Sequence, residues 1–351
     1  MKKNLFLPLL LVVLFLQVAC SGTTAVNEEP PVVRLMTHDS FDISAELIAD
    51  FESETGIRVE VFKGGDGGEL VNKAILTKDT PLADVVFGID NTFLSRALEN
   101  DLFIAYESPK LADISDELEL DPQFRVSPVD FGDICLNYDV AWFAESGIAA
   151  PDELGDLIDP VYAGLTVVQN PATSTPGLGF LLTTIEAFGE DGYLDYWERL
   201  AGNDVLVVDG WEQAYYSHFS AASDGDRPIV VSYATSPVAE VYFAEEPLSE
   251  SPTAAVLTDG SCFRQTEFIG ILNGTKVEEE ARRLIDFMLD TEFQEDIPLK
   301  MFVFPANNSA ILPDVFRQFG QVSTNPVAMD PERIADNREA WIRAWTEAVL
   351  R

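Results

Sequence analysis

The residues of this chain best suited to chemistry are flat rings and short polar side chains that fall just after strand-like runs. Trp211 follows the run 204–208 and the turn Asp209-Gly210, Tyr233 closes the run 228–233, and His38 and Phe41 follow the first run at 32–36. Phe302 and Phe304 stand just before Pro305, and Tyr215-Tyr216 lies shortly after Trp211. Flat aromatic faces stack on a planar ring, and each holds a cation for about 0.5–2 kcal/mol. Any one of these rings is more often core than ligand contact. As a set they stand beside Asp39, Asp66, Asp90 and Asn91, which add negative charge and hydrogen-bonding capacity at the same strand ends.

Three further stretches offer backbone donors. Asn170-Pro171-Ala172-Thr173-Ser174-Thr175-Pro176-Gly177-Leu178-Gly179 runs from a strand into a helix, with Thr175 as the expected cap and Pro176 as the first helical residue. The first turn of such a helix carries free N–H groups and the positive end of a dipole, so it receives phosphate or carboxylate. Ser232-Tyr233-Ala234-Thr235-Ser236-Pro237 repeats the device, and Gly64-Gly65-Asp66-Gly67-Gly68 is a tight turn before a third helix. A Ser/Thr-Pro start alone is usually just a cap. Three of them, each after a strand, suggest a polar cleft rich in donors.

The elements that would position these residues alternate. Strands are expected at 32–36, 57–62, 84–89, 131–138, 164–168, 204–208, 228–233 and 263–272. Helices are expected at 41–55, 69–77, 91–99, 176–188, 213–222, from 237 onward, 277–289 and 331–351. This order implies an α/β fold with mainly parallel sheets and helices on both faces. In such sheets ligands sit outside the carboxyl ends of the strands. The last helix carries Trp341 and Trp345 one turn apart.

Composition narrows the class. The 351 residues hold 60 acidic and 22 basic side chains, a net charge of -38, which argues against nucleic acid or an anionic membrane surface as partner. The charge is spread along the whole chain, as on a solvated surface. There are only two histidines, His38 and His218, and no Gly-x-Ser-x-Gly, His-Glu-x-x-His or P-loop motif, so no catalytic centre and no cofactor is expected. Lys2 and Lys3 followed by an apolar run from Leu5 to Ala19 describe an export signal over 1–20, too short to span a bilayer. The run ends Leu16-Gln17-Val18-Ala19-Cys20-Ser21, which resembles a lipobox with Gln17 in place of the usual aliphatic residue; Cys20 is the expected lipidation site and 21–31 a polar tether. Membrane contact is expected through that anchor alone. The remaining cysteines, Cys135 and Cys262, are expected to pair in an oxidising compartment.

Five stretches occur in a telling order: Thr37-His38-Asp39-Ser40-Phe41, Ala83 to Asn91, Thr173 to Gly179, Gly210-Trp211-Glu212-Gln213-Ala214-Tyr215, and Ser232 to Pro237. Together they resemble the periplasmic thiamine-binding proteins of bacterial importers, from about Val33 to Arg351. The resemblance implies a two-lobed type II periplasmic binding fold with the ligand cleft between the lobes. Lobe I would comprise 32–130 and 263–305, lobe II 131–262, with a C-terminal helical segment at 306–351. It also implies a monomeric protein that delivers thiamine or a thiamine phosphate to the permease of an ABC importer. The implied ligand set is His38, Asp39, Ser40, Asp66, Gly67, Asp90, Asn91, Ser174, Thr175, Trp211, Tyr215, Tyr233, Ser236 and Phe302. In that set Trp211 and Tyr233 enclose the rings, Asp39, Asp66 or Asp90 balances the thiazolium charge, and Ser174, Thr175 and Ser236 hold a phosphate. His38 stands where the family usually has tyrosine, and Phe302 where a tryptophan is usual. The residues leave two other ligands open: a polyamine, which suits the acidity, and ferric ion, for which Tyr215-Tyr216 is a weak pair because helical neighbours point about 100° apart.

Overall fold

Among the described residues there are eleven strands: β1 (Val32–Thr37), β2 (Arg58–Lys63), β3 (Val85–Asp90), β4 (Phe103–Ile104), β5 (Ser127–Asp139), β6 (Thr166–Gln169), β7 (Leu206–Val208), β8 (Ile229–Tyr233), β9 (Thr253–Ala255), β10 (Phe263–Leu272) and β11 (Phe304–Pro305). This is a computed structural model and describes residues 30–351. The export signal at 1–20, Cys20 and residues 21–29 of the tether lie outside the described residues. The main sheet path is β2-β1-β3-β10-β5-β8-β6-β7. At one end β2, β1 and β3 are parallel; at the other β8, β6 and β7 are parallel. Between them β10 and β5 run antiparallel to each other, β10 also pairing with β3 and β5 with β8. Two parallel α/β lobes thus share two long crossing strands, the architecture of a two-lobed type II binding fold.

The helices are α1 (Ala45–Thr55), α2 (Gly67–Leu76), α3 (Leu94–Glu99), α4 (Val140–Ser146), α5 (Thr175–Phe188), α6 (Tyr193–Gly202), α7 (Trp211–Gln213), α8 (Ser236–Tyr242), α9 (Glu278–Leu289), α10 (Thr291–Lys300), α11 (Asp314–Phe319) and α12 (Pro331–Val349). Helix α1 starts four residues later than its apolar pattern suggests. Phe41 is buried edge-on against Phe87 at 5.4 Å, and the Ser44 amide and hydroxyl both donate to Asp296 at 2.7 Å, which holds the approach as a loop. The expected helix at 213–222 is instead a short α7 that widens at once into a π turn over Ala214–His218. Helix α6 carries no strong start signal and follows Gly192, while α10 is capped by Asp290, which accepts from the Thr291 amide at 2.8 Å, and contains Pro298.

Packing explains which elements stay rigid. Strand β3 is buried along its whole length, as a central parallel strand must be. Gly88 within it has φ +98°, and a Cβ there would lie 2.3 Å from His38 Cδ2, so glycine makes room for the His38 ring. Helix α12 touches both lobes. Trp345 packs edge-on against Trp197 of α6 at 5.5 Å, while buried Arg338 donates to Thr92 O at 3.1 Å and Ser95 Oγ at 3.2 Å beside α3. Burying a Phe-sized side chain contributes roughly 1.5–3 kcal/mol, so these fully buried rings fix the helix firmly. Cys135 of β5 and Cys262 beside β10 form a buried disulfide that staples the crossing strands.

Candidate ligand-binding site

A cavity of about 730 Å³, counting its open mouth, lies where the crossing strands meet the carboxyl ends of the lobe strands. The turn after β1 brings His38 and Ser40 to it, and the turn after β2 brings Asp66 and Gly67. From the other lobe come Thr175 at the start of α5, Trp211 and Tyr215 after β7, Tyr233 at the end of β8 and Ser236 at the start of α8. Phe302 closes the set, held at φ 55°, a backbone region rarely used by aromatic residues. Thr235 Oγ1 donates to the Phe302 carbonyl, which fixes that turn.

The rings are locked by their neighbours. Trp211 stacks on Tyr215 with centroids 5.1 Å apart and planes 24° apart, and meets Tyr233 at 6.3 Å. Its Nε1 donates to Ser232 Oγ at 2.8 Å. Tyr215 donates to Glu240 and Tyr233 to Gln265 Oε1, each at 2.8 Å. Gly132 lies under the Tyr233 ring, where a Cβ would come within 3.1 Å of Cδ1.

Four of the expected ligand residues are not among those lining this cavity. Asp39 lines an adjoining outer pocket with Glu69, Asp209 and Glu212. Asp90 is buried beneath the cavity, accepting from Thr175 Oγ1 and, at 2.7 Å, from the Thr92 amide. Asn91 faces β10, donating to Arg264 O at 2.9 Å and accepting from the Thr266 amide at 3.1 Å, so it ties β3 to β10. Ser174 is fully buried at the N-cap position without capping the helix, and Thr175, the expected cap, is instead the first helical residue. Of the hydroxyls expected to hold phosphate, those of Thr175 and Ser236 are engaged, Ser236 Oγ lying 2.7 Å from Ser232 Oγ and accepting from the Tyr233 amide at 3.2 Å, whereas Ser174 Oγ is buried without a hydrogen-bond partner.

Asp66 joins the lobes. Its carboxylate accepts from its own helix at Gly67 N (2.7 Å) and from Trp211 N across the cleft (3.1 Å). The Gly68 amide reaches Thr173 O at 3.1 Å. Gly67 is required here: a Cβ would fall 2.0 Å from Thr175 Oγ1.

Strand interiors supply a group that strand-end reasoning missed. Gln265 and Glu267 on β10 line the cavity, with Tyr216, Met301 and Val303. Glu267 lies directly across the ladder from Asp130 of β5. Burial raises the carboxyls of Asp66 and Asp90 above their usual range, lifts Asp130 to about 7 and holds Glu267 well above the ordinary glutamate value. Burial, reinforced by Lys63, lowers His38 to about 3, so His38 is a neutral ring whose Nε2, 3.6 Å from Glu267, is too far for a hydrogen bond. No lysine or arginine is among the residues lining the cavity. The result is a flat, aromatic, acid-floored pocket. Among the described residues no three His, Cys, Asp or Glu side chains converge to hold a metal ion.

Two lobes sharing antiparallel crossing strands, with a ring-lined cleft between them, define an extracytoplasmic solute receptor. The chain belongs to the bacterial extracellular solute-binding proteins, whose family model matches residues 80–318. Within that family it is 30% identical over 329 residues to the thiamine-binding periplasmic protein of Salmonella typhimurium, covering 92% of this chain and 94% of that one. It is likewise 30% identical over 325 residues to the thiamine-binding periplasmic protein of Escherichia coli, with the same coverage. A solved periplasmic thiamin binding protein superposes with a TM-score of 0.81 at 28% identity, over 92% of this chain and 97% of that one.

Proposed function

We propose that this protein binds thiamine in the cleft and delivers it to an ABC importer permease, held at the membrane by a lipid on Cys20. The observation that carries the ligand is the pairing of Trp211, Tyr233, Phe302 and neutral His38 with buried carboxyls and no lysine or arginine in the lining. Rings receive a flat heterocycle and its positive charge, and the acids complement that charge. The names of the relatives agree with this reading. Of the hydroxyls that would hold a phosphate, those of Thr175 and Ser236 are bonded within the protein and that of Ser174 is fully buried outside the cavity lining, so unphosphorylated thiamine is the expected preferred form. The lobes divide at 32–130 with 263–305 against 131–262, and they close about β5 and β10 by hinge motion.

Titration calorimetry with thiamine, its monophosphate, its diphosphate and putrescine tests the assignment. Thiamine is expected to bind most tightly, and Trp211→Ala or Tyr233→Ala to weaken it by about tenfold or more, about 1.4 kcal/mol. Tighter binding of putrescine than of thiamine, or unchanged affinity in both variants, would remove it.

A further inference from the structure

We infer that Glu267, backed by Asp130, is the residue that makes this cleft select a positively charged solute, and that the entering cation displaces a proton the two carboxyls share. The inference rests on the ligand reading above but concerns a different pair of atoms. Asp130 and Glu267 are opposite one another on β5 and β10, 1% and 7% exposed. Neither oxygen of Asp130 meets a donor from the protein. Two ionised carboxylates so placed repel, so the pair is stable only with a proton between them. Glu267 reaches the cavity; Asp130 lies behind it.

The surroundings offer no other counter-charge. The groups facing Glu267 are neutral His38 from the turn after β1, Asp66 from the turn before α2, Asp90 at the end of β3, Asp130 on β5 and the Tyr233 phenol on β8. All but the histidine and phenol are acids, and burial favours the protonated state of the phenol. The nearest lysine of the site, Lys63, donates to Phe41 O and feels Asp39, Asp42 and Glu212 farther out. A cation against Glu267 therefore provides the positive charge that the fold lacks. The carboxylic acid then ionises, its proton passes to solvent, and both oxygens face the ligand's charge. A neutral solute leaves the proton in place and gains nothing from the pair.

The test is thiamine titration near pH 7 in phosphate and in Tris, buffers with different ionisation heats. The expected result is a buffer-dependent enthalpy equivalent to release of about one proton, fading at higher pH as the free pair ionises. Glu267→Gln is expected to abolish the buffer dependence and weaken binding by about tenfold. Asp130→Asn is expected to abolish the buffer dependence while retaining the ring contacts, and it guards against a folding defect in the first variant. Equal heats in the two buffers for the parent protein, or proton release undiminished in both variants, would overturn the inference while leaving thiamine binding intact. Absence of any thiamine binding would instead overturn the ligand assignment, and putrescine then serves as the cationic probe in the same pair of buffers. Cation binding without proton release, or none with either cation, overturns the inference there.

Discussion

Along the β5–β10 ladder two cross-strand pairs are set near each other, Asp133 opposite Arg264 and Asp130 opposite Glu267. Both aspartates are buried to 1% exposure. Asp133 accepts from Arg264 through Nε and, at 3.0 Å, Nη2, and from the Ser323 amide at 2.7 Å. The Arg264 guanidinium also lies over Phe131, 5.1 Å from its centroid. Every charge in that pair has an answer within the protein, so it fastens strand to strand. The second pair has no such answer. A buried charge without a partner is expensive, and a fold that keeps an acid opposite an acid beside a cavity leaves the complement to come from a ligand. The same ladder therefore does two jobs: it is a clamp at one register and a recognition surface at the other.

The strongest way to sharpen that contrast is to loosen the clamp without touching the pocket floor. The Cys135–Cys262 disulfide lies beside the Asp133 pair and closes a loop with a sequence separation of 127. Its reduction is expected to remove roughly 4–5 kcal/mol of stability in the chain-entropy account. A melting temperature unchanged by dithiothreitol in scanning calorimetry would count against the bridge. Next in size is Arg264→Ala, which leaves buried Asp133 with only the Ser323 amide. It is expected to cost roughly 3 kcal/mol in urea unfolding, with thiamine affinity nearly unchanged. If Arg264→Ala harmed ligand affinity as much as Glu267→Gln, the division between clamp and recognition surface would collapse.

That division also marks what could be read from the sequence. Strand-end reasoning placed His38, Asp66, Trp211 and Tyr233 at one cavity because parallel strands point their carboxyl ends toward the cleft, and the cavity gathers those residues. It did not foresee that Asn91 would be taken up by β10 or that Ser174 would be buried outside the cavity lining: a polar residue after a strand serves backbone groups as readily as a ligand. Glu267 and Asp130 gave no local signal. Each stands inside a strand, where an acid among apolar neighbours reads as the solvent-facing member of an alternation. Only the crossing of β5 and β10 lays those interiors across the cleft floor, and a register between segments so far apart in sequence has no local trace. The helix expected at 213–222 failed for a related reason. Tyr215 and Phe219 are both drawn into a small cluster with Val208 and Val230, tertiary packing that local periodicity does not carry, and the chain between them follows a π turn.

The smallest predicted effect is the most pointed. Burial raises the Asp130 carboxyl from 3.8 to about 7. Between those two values the unfolded chain gives up a proton that the folded protein keeps, so this pair makes the ligand-free protein less stable as pH rises through that window, and the loss persists above it. Asp130→Asn keeps the size of the side chain and removes the ionisation. In the absence of ligand it is expected to be more stable than the parent at about pH 8, by on the order of 2 kcal/mol. The gain is expected to shrink toward zero below about pH 3, where both states of the parent hold the proton. Urea unfolding at the two pH values measures the difference directly. A variant that is less stable than the parent at both would show that the Asp130–Glu267 pair is a clamp like its neighbour, and that the acid in the cleft floor has a partner within the fold after all.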